Sequence, residues 1–151
     1  MELDLGFILL SIIAGILASY VLLANALWLQ SLGLPRLDFS TAMANLTYGE
    51  QFEGKPPYFA GMIVIYFNGI IFALLYSTVV AQYLPGEPIV KGAIWGAILW
   101  FFSGIFYVPF ILKEGFFLSH IHPMAWFSSG IVHGMYGLMV GWLAPIHTAA
   151  G

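Results

Sequence analysis

Cysteine is absent from the sequence. That absence excludes disulfides, thiolate metal sites, thioether-linked haem and cysteine nucleophiles together, and it leaves the redox compartment unread. Charge is almost as scarce. Asp, Glu, Lys and Arg make up 7% of the 151 residues, against about a quarter in an ordinary soluble domain. So few charges do not cover a water-facing surface. The four bases and seven acids also cannot build the basic stripe that a phosphate backbone demands, so nucleic acid is not an expected partner. Glycine loops that cradle phosphate, nucleophile elbows and metalloprotease helix motifs are missing as well, and no enzymatic activity is expected.

What is present is apolar. Hydrophobic residues account for 61% of the chain and the mean hydropathy is +0.94. A chain of this length makes one membrane domain, residues 1–151, whose apolar surface faces the lipid bilayer or other membrane protein subunits. A hydrocarbon core about 30 Å thick needs about 20 apolar residues in a helix. Four stretches meet that length: residues 5–32, 57–84, 89–112 and 123–145. Gly33, Pro35 and Arg36 end the first. The link Pro85-Gly86-Glu87-Pro88 is a tight turn, which predicts that the second and third spans pack as antiparallel neighbours. Residues 38–49 read as a short amphipathic interfacial helix, with Asp38 as N-cap, Gly49 as stop, and Phe39, Met43 and Leu46 on one face. The expected fold is all-α: a four-transmembrane-helix bundle with this interfacial helix between helices 1 and 2.

Orientation follows from the sparse charges. Glu2 and Asp4 occupy the region where a secretory signal carries positive charge, so the first helix is expected to be retained. Arg36, Lys55 and Lys113 fall on one side and Lys91 on the other, which favours both termini outside. Tyr48, Tyr58, Tyr83, Trp126 and Trp142 lie towards span ends, where amphipathic rings settle at the bilayer surface.

Lipid offers no hydrophobic drive for helix association, so small residues that let backbones approach have to supply the contact. Gly130, Gly134, Gly137 and Gly141 share one face of the fourth span. The third carries Gly92, Gly96 and Gly104, the second Gly61, Gly69 and Ala73, and the first Ala14, Gly15, Ala18 and Ser19. These stripes read as helix packing.

Ionisable groups inside a membrane are functional suspects. Here Asp38, Glu50, Glu53, Glu87 and Glu114 fall in loops, Glu2 and Asp4 at the terminus, and the bases in loops or at span ends. No carboxylate sits where a proton relay needs one, and no deep lysine offers a retinal Schiff base. His133 is the deep candidate. Phe67-Asn68-Gly69 in the second span is answered by Val132-His133-Gly134 in the fourth, a faint repeat that puts Asn68 and His133 at similar depth and predicts a buried polar contact between them. No cofactor is required by the sequence, but haem or chlorophyll remains open through a neutral imidazole nitrogen of His133. A second imidazole at matching depth is lacking. His120 and His122, even with Glu114, are too few ligands for a metal.

Four segments recur in a familiar order: Leu-Pro-x-Leu-Asp at Leu34 to Asp38, Tyr-Leu-Pro-Gly at Tyr83 to Gly86, Lys-Gly-x-x-x-Gly-x-x-x-Trp at Lys91 to Trp100, and His-Gly-x-x-Gly at His133 to Gly137. This pattern resembles an uncharacterised family of small four-helix prokaryotic integral membrane proteins. The resemblance implies the architecture and a prokaryotic inner membrane location, and it carries no activity. It also implies a histidine in the second span, where this chain has Tyr66 and Asn68. The expected role is a non-catalytic accessory subunit of a larger membrane complex, such as one of respiratory or photosynthetic electron transfer. The alternatives are a haem- or chlorophyll-binding protein using His133 and a small oligomeric transporter with its path between subunits.

Overall fold

The computed structural model describes residues 3–49 and 57–147, so Glu2, Glu50, Glu53 and Lys55 lie outside the described residues. Five α-helices organise the described chain: α1 (Leu5–Trp28), α2 (Phe39–Tyr48), α3 (Tyr58–Leu75), α4 (Pro88–Phe102) and α5 (Ala125–Leu143).

Local chemistry sets their limits. The Asp4 carboxylate accepts the Phe7 N–H at 2.7 Å and caps α1. After Trp28 the chain tightens into a 3₁₀ turn, Leu29–Leu32, and stops at Gly33 with φ 76°, a left-handed conformation that glycine adopts without cost. Asp38 caps α2 by accepting the Thr41 N–H at 3.0 Å, and Gly49 (φ 81°) ends it. Past Leu75, α3 widens into a π-turn over Tyr76–Val80 and closes with a 3₁₀ turn, Ala81–Tyr83. The widening of α4 is longer, running Ser103–Leu112 around Pro109. Proline has no N–H to give to the carbonyl one turn back and its ring pushes that carbonyl away; a wider turn absorbs both demands without breaking the helix.

Three helices are long and apolar enough to cross a membrane: Leu5–Leu32, Tyr58–Tyr83 and Pro88–Leu112. Four were expected, so the count from sequence is corrected. The helix that drops out is α5, in which Ser128, Ser129, Gly130 and His133 dilute the apolar residues. Its position explains the composition. It packs against both α1 and α4 and buries Ser128, Val132, Tyr136 and Val140, so its surface is chosen for contact with other helices.

The chain reverses direction at each long helix. Phe7, at the start of α1, meets the ring of His147 beyond α5 edge-on with centroids 6.3 Å apart. His147 N–H in turn donates to the Ser77 carbonyl past the end of α3 at 2.9 Å. One end of the bundle therefore gathers the start of α1 and the ends of α3 and α5. The opposite end holds a second apolar cluster in which Ala26, Leu29 and Leu37 meet Val108, Leu118 and Ala125. Leu118 (φ 65°) and Phe117 (φ 51°) sit there in the left-handed region, and Leu118's burial together with Phe117's packing on Trp100 at 5.2 Å holds that strained pair in place.

Two expectations about neighbours change. α3 packs on α1 and α2, and α4 packs on α5, while α3 and α4 do not run in close backbone contact. They meet near their shared turn, where Trp95 lies 6.2 Å from Tyr76 and 6.5 Å from Phe72 and where Lys91 Nζ donates to the Ala81 carbonyl at 2.9 Å. Bulky rings hold these two helices apart, whereas glycines draw each towards its other neighbour. On α2 the buried face is Ser40, Met43 and Ala44, and Leu46 is exposed, because the backbone at Ser40 and Ala44 lies directly on Gly61 of α3.

Candidate functional site

The glycines decide where the helices close and where they leave space. A Cβ on Gly141 would come within 2.7 Å of Gly92 Cα, and one on Gly137 within 2.7 Å of Gly96 Cα, so these four glycines form the α4–α5 contact. Gly69 is covered by Ser19 of α1, and a Cβ on Gly15 would come within 2.7 Å of Ile70 Cα. Gly130 has only ordinary contact with Trp100, at 3.4 Å. Around Gly134 a Cβ would meet nothing within 4 Å. The glycine stripe of α5 is thus divided in use, with Gly137 and Gly141 packed and Gly134 facing space.

Drawing α4 onto α5 and α3 onto α1 leaves a cavity of about 350 Å³ between the two pairs. Ile65, Asn68 and Phe72 line it from α3, and Leu99, Phe102, Ser103 and Tyr107 from α4 with its wide extension. His133 and Tyr136 of α5 form its back, with Ser19 and Leu22 of α1, and Phe39 and Met43 of α2 close one end. Most of this lining is apolar or aromatic, with a few convergent polar groups, which is the general form of a small-molecule site.

Asn68 and His133 share this cavity, without a direct hydrogen bond. His133 Nδ1 lies 2.8 Å from the Ser129 carbonyl oxygen, with the Ser129 hydroxyl at 3.3 Å. A carbonyl only accepts, so Nδ1 carries the proton and Nε2 carries the lone pair. Phe39 holds the imidazole edge-on, centroid to centroid 6.4 Å. The Asn68 amide has no hydrogen-bond partner among the described residues.

Three of the hydroxyls around them are committed. Tyr136 donates to the Gly69 carbonyl at 2.6 Å, Ser19 to the Gly15 carbonyl at 2.8 Å, and Tyr107 to Met43 Sδ at 3.2 Å. Sequence reading placed Met43 on a face of the interfacial helix and did not single out Tyr107 or Ser103. Their signal was Pro109: a proline within a span forces the ladder to rearrange, and the rearranged turn is the segment that carries Ser103 and Tyr107.

The histidines outside the bundle serve the loop. His120 Nδ1 lies 3.3 Å from the Lys113 carbonyl, and His122 Nδ1 accepts the Met124 N–H at 3.0 Å, so both rings are tied to backbone. Among the described residues no three metal-ligating side chains cluster.

Chemically, the cavity offers one acceptor nitrogen at His133 and one amide at Asn68 that both donates and accepts, set among rings. It is suited to holding a molecule in a fixed orientation. No curated protein and no solved structure matches this chain. A family model described as a family of unknown function, DUF6789, matches residues 6–150, and the chain belongs to that family.

Proposed function

We propose that this protein is an integral membrane protein of a prokaryotic inner membrane, and that it serves as a non-catalytic accessory subunit of a larger membrane assembly such as an electron-transfer complex. Three helices are long and apolar enough to cross, and α5 packs on two of them, α1 and α4. The observation that carries this reading is the outer surface. Phe59, Ile63, Phe67, Ile71 and Leu75 form an exposed ridge at four-residue spacing on α3, and Phe102, Phe106 and Phe110 repeat the pattern along α4. Large side chains in regular rows present ridges that another helix fits with its grooves, and dispersion in such fits supplies helix association within lipid. Tyr48, Tyr58, Tyr83, Trp126 and Trp142 are exposed near helix ends, as bilayer anchors require.

Solubilisation of native membranes in a mild detergent tests the role. A larger complex containing this chain at fixed stoichiometry is the expected product, and recovery of nothing but the free monomer overturns the reading.

A second reading is favoured by one specific observation. The Nδ1–H of His133 on the Ser129 carbonyl leaves Nε2 free, the arrangement of a histidine that ligates haem or chlorophyll. Met43 Sδ lines the same cavity as a further soft donor. An absorption spectrum of the protein purified from its native membrane decides: a Soret or chlorophyll band that disappears in His133→Ala supports this reading, and a spectrum without such a band ends it.

A further inference from the structure

We propose that the cavity between α3 and α4 is a binding site for a membrane-soluble phenol or hydroquinone, whose hydroxyl donates to His133 Nε2 while its oxygen accepts from the Asn68 amide. This inference stands apart from the accessory-subunit role, since it rests on hydrogen-bond inventory and shape within one chain.

The inventory comes first. With Tyr136, Ser19 and Tyr107 already donating to Gly69, Gly15 and Met43, the polar groups of the cavity lining left without a partner among the described residues are His133 Nε2, the Asn68 amide and the Ser103 hydroxyl. Nε2 is fixed as an acceptor by the carbonyl of Ser129 on the other side of the ring. A ligand with only carbonyl or ether oxygens would set lone pair against lone pair at that nitrogen. A hydroxyl satisfies it, and the same oxygen then has lone pairs for the Asn68 NH₂. Within a low-dielectric bundle an unmet polar group is costly, so a ligand that meets both is selected over one that meets neither.

Shape gives the rest. Phe39, Phe72, Phe102 and Tyr107 surround the cavity with rings, which favours an aromatic head that stacks or meets them edge-on. A volume of about 350 Å³ exceeds a single six-membered ring and accommodates the first part of an alkyl tail. Phe102 is 52% exposed at the rim, and the helices on either side of it are not in close backbone contact, so a tail has a lateral exit into lipid. The wide turns of α4 set Ser103 and Tyr107 along this opening, in keeping with the frequent use of π-segments at sites.

The test compares 4-hexylphenol with 4-hexylanisole, its O-methyl ether, on the full chain in lipid nanodiscs, with equilibrium dialysis against empty nanodiscs of the same lipid. Saturable uptake of one 4-hexylphenol per protein is expected, with at least tenfold weaker binding of the anisole, which keeps the ring, tail and oxygen but carries a methyl where the phenol has its donor hydrogen. His133→Ala and Asn68→Leu are each expected to weaken the phenol at least tenfold. Leu99→Trp, which puts a larger ring into the cavity lining and keeps both polar side chains, is expected to abolish saturable binding. Equal affinity for phenol and anisole on the unmodified protein overturns the proposal and needs no variant to fold. Phenol binding that is unchanged in Leu99→Trp overturns it too, as does native material carrying a tetrapyrrole band that His133→Ala removes.

Discussion

At the scale of single residues, the polar groups inside the bundle differ in what they hold. The Tyr136 hydroxyl reaches across from α5 to the Gly69 carbonyl of α3 at 2.6 Å, tying together two helices that pack on α1 and not on each other. Tyr136→Phe removes that bond and no ring. Interhelical hydrogen bonds within membranes average about 0.6 kcal/mol and reach about 1.7 kcal/mol. A loss of about 1 kcal/mol is therefore expected for Tyr136→Phe, read as a shift in the denaturant midpoint of the protein in micelles; an unchanged midpoint would show that the Gly69 carbonyl finds another donor. The sequence placed Tyr136 beside a small-residue stripe and gave no sign of its partner, because which backbone carbonyl a hydroxyl reaches on another helix is set by packing and leaves no mark in the sequence. His133 was legible as the deep ionisable group. The tautomer was not, since it depends on where the Ser129 carbonyl points.

At the scale of elements, glycines of identical spacing have opposite roles. Gly137 faces Gly96 across a gap with no room for a side chain, and Gly134 faces open space. Gly137→Leu is expected to cost about 3 kcal/mol or more by overpacking and to separate α4 from α5. Gly134→Ala is expected to be neutral or to stabilise by up to about 1 kcal/mol through better helix propensity. Thermal unfolding of the two variants in the same detergent checks both; a larger loss at Gly134 than at Gly137 would contradict the assigned interface. The capping of α2 supplies a gentler comparison. Asp38→Ala removes the acceptor for the Thr41 N–H and is expected to destabilise by about 1 kcal/mol, seen as faster amide exchange in residues 39–42 than in the parent. Stripe and cap were both evident in the sequence, and so was the start of each long helix to within a residue or two. Which members of the stripe bear the contact was set by the rotation of α5 between its two neighbours.

For the whole molecule, the alternating helix directions bring Arg36 and Lys113 to one end and Lys91 to the other. By the positive-inside rule, the proposed orientation has Arg36 and Lys113 in the cytoplasm and both termini outside. A chain with no cysteine gives a clean background for labelling. Glu87→Cys is expected to react with a membrane-impermeant maleimide in intact cells, and Ser119→Cys only after the membrane is opened; the reverse pattern would invert the orientation. The tight turn at Pro85 to Pro88 led to an expectation of close α3–α4 packing, and the turn itself is present. Yet the backbones part beyond it, because Trp95, Tyr76 and Phe72 wedge them while Gly92 and Gly96 draw α4 towards α5. The cavity exists because of that competition.

Composition and periodicity alone determined that this chain is helical, where its long apolar segments begin and end, and which small residues allow close approach, since each depends on length, hydropathy or local spacing. Tertiary structure decided which helices are neighbours, where α5 packs, and that Asn68 and His133 share a cleft without a direct hydrogen bond. Those outcomes turn on a balance of side-chain volumes between segments distant in the chain, and a linear pattern does not encode that balance.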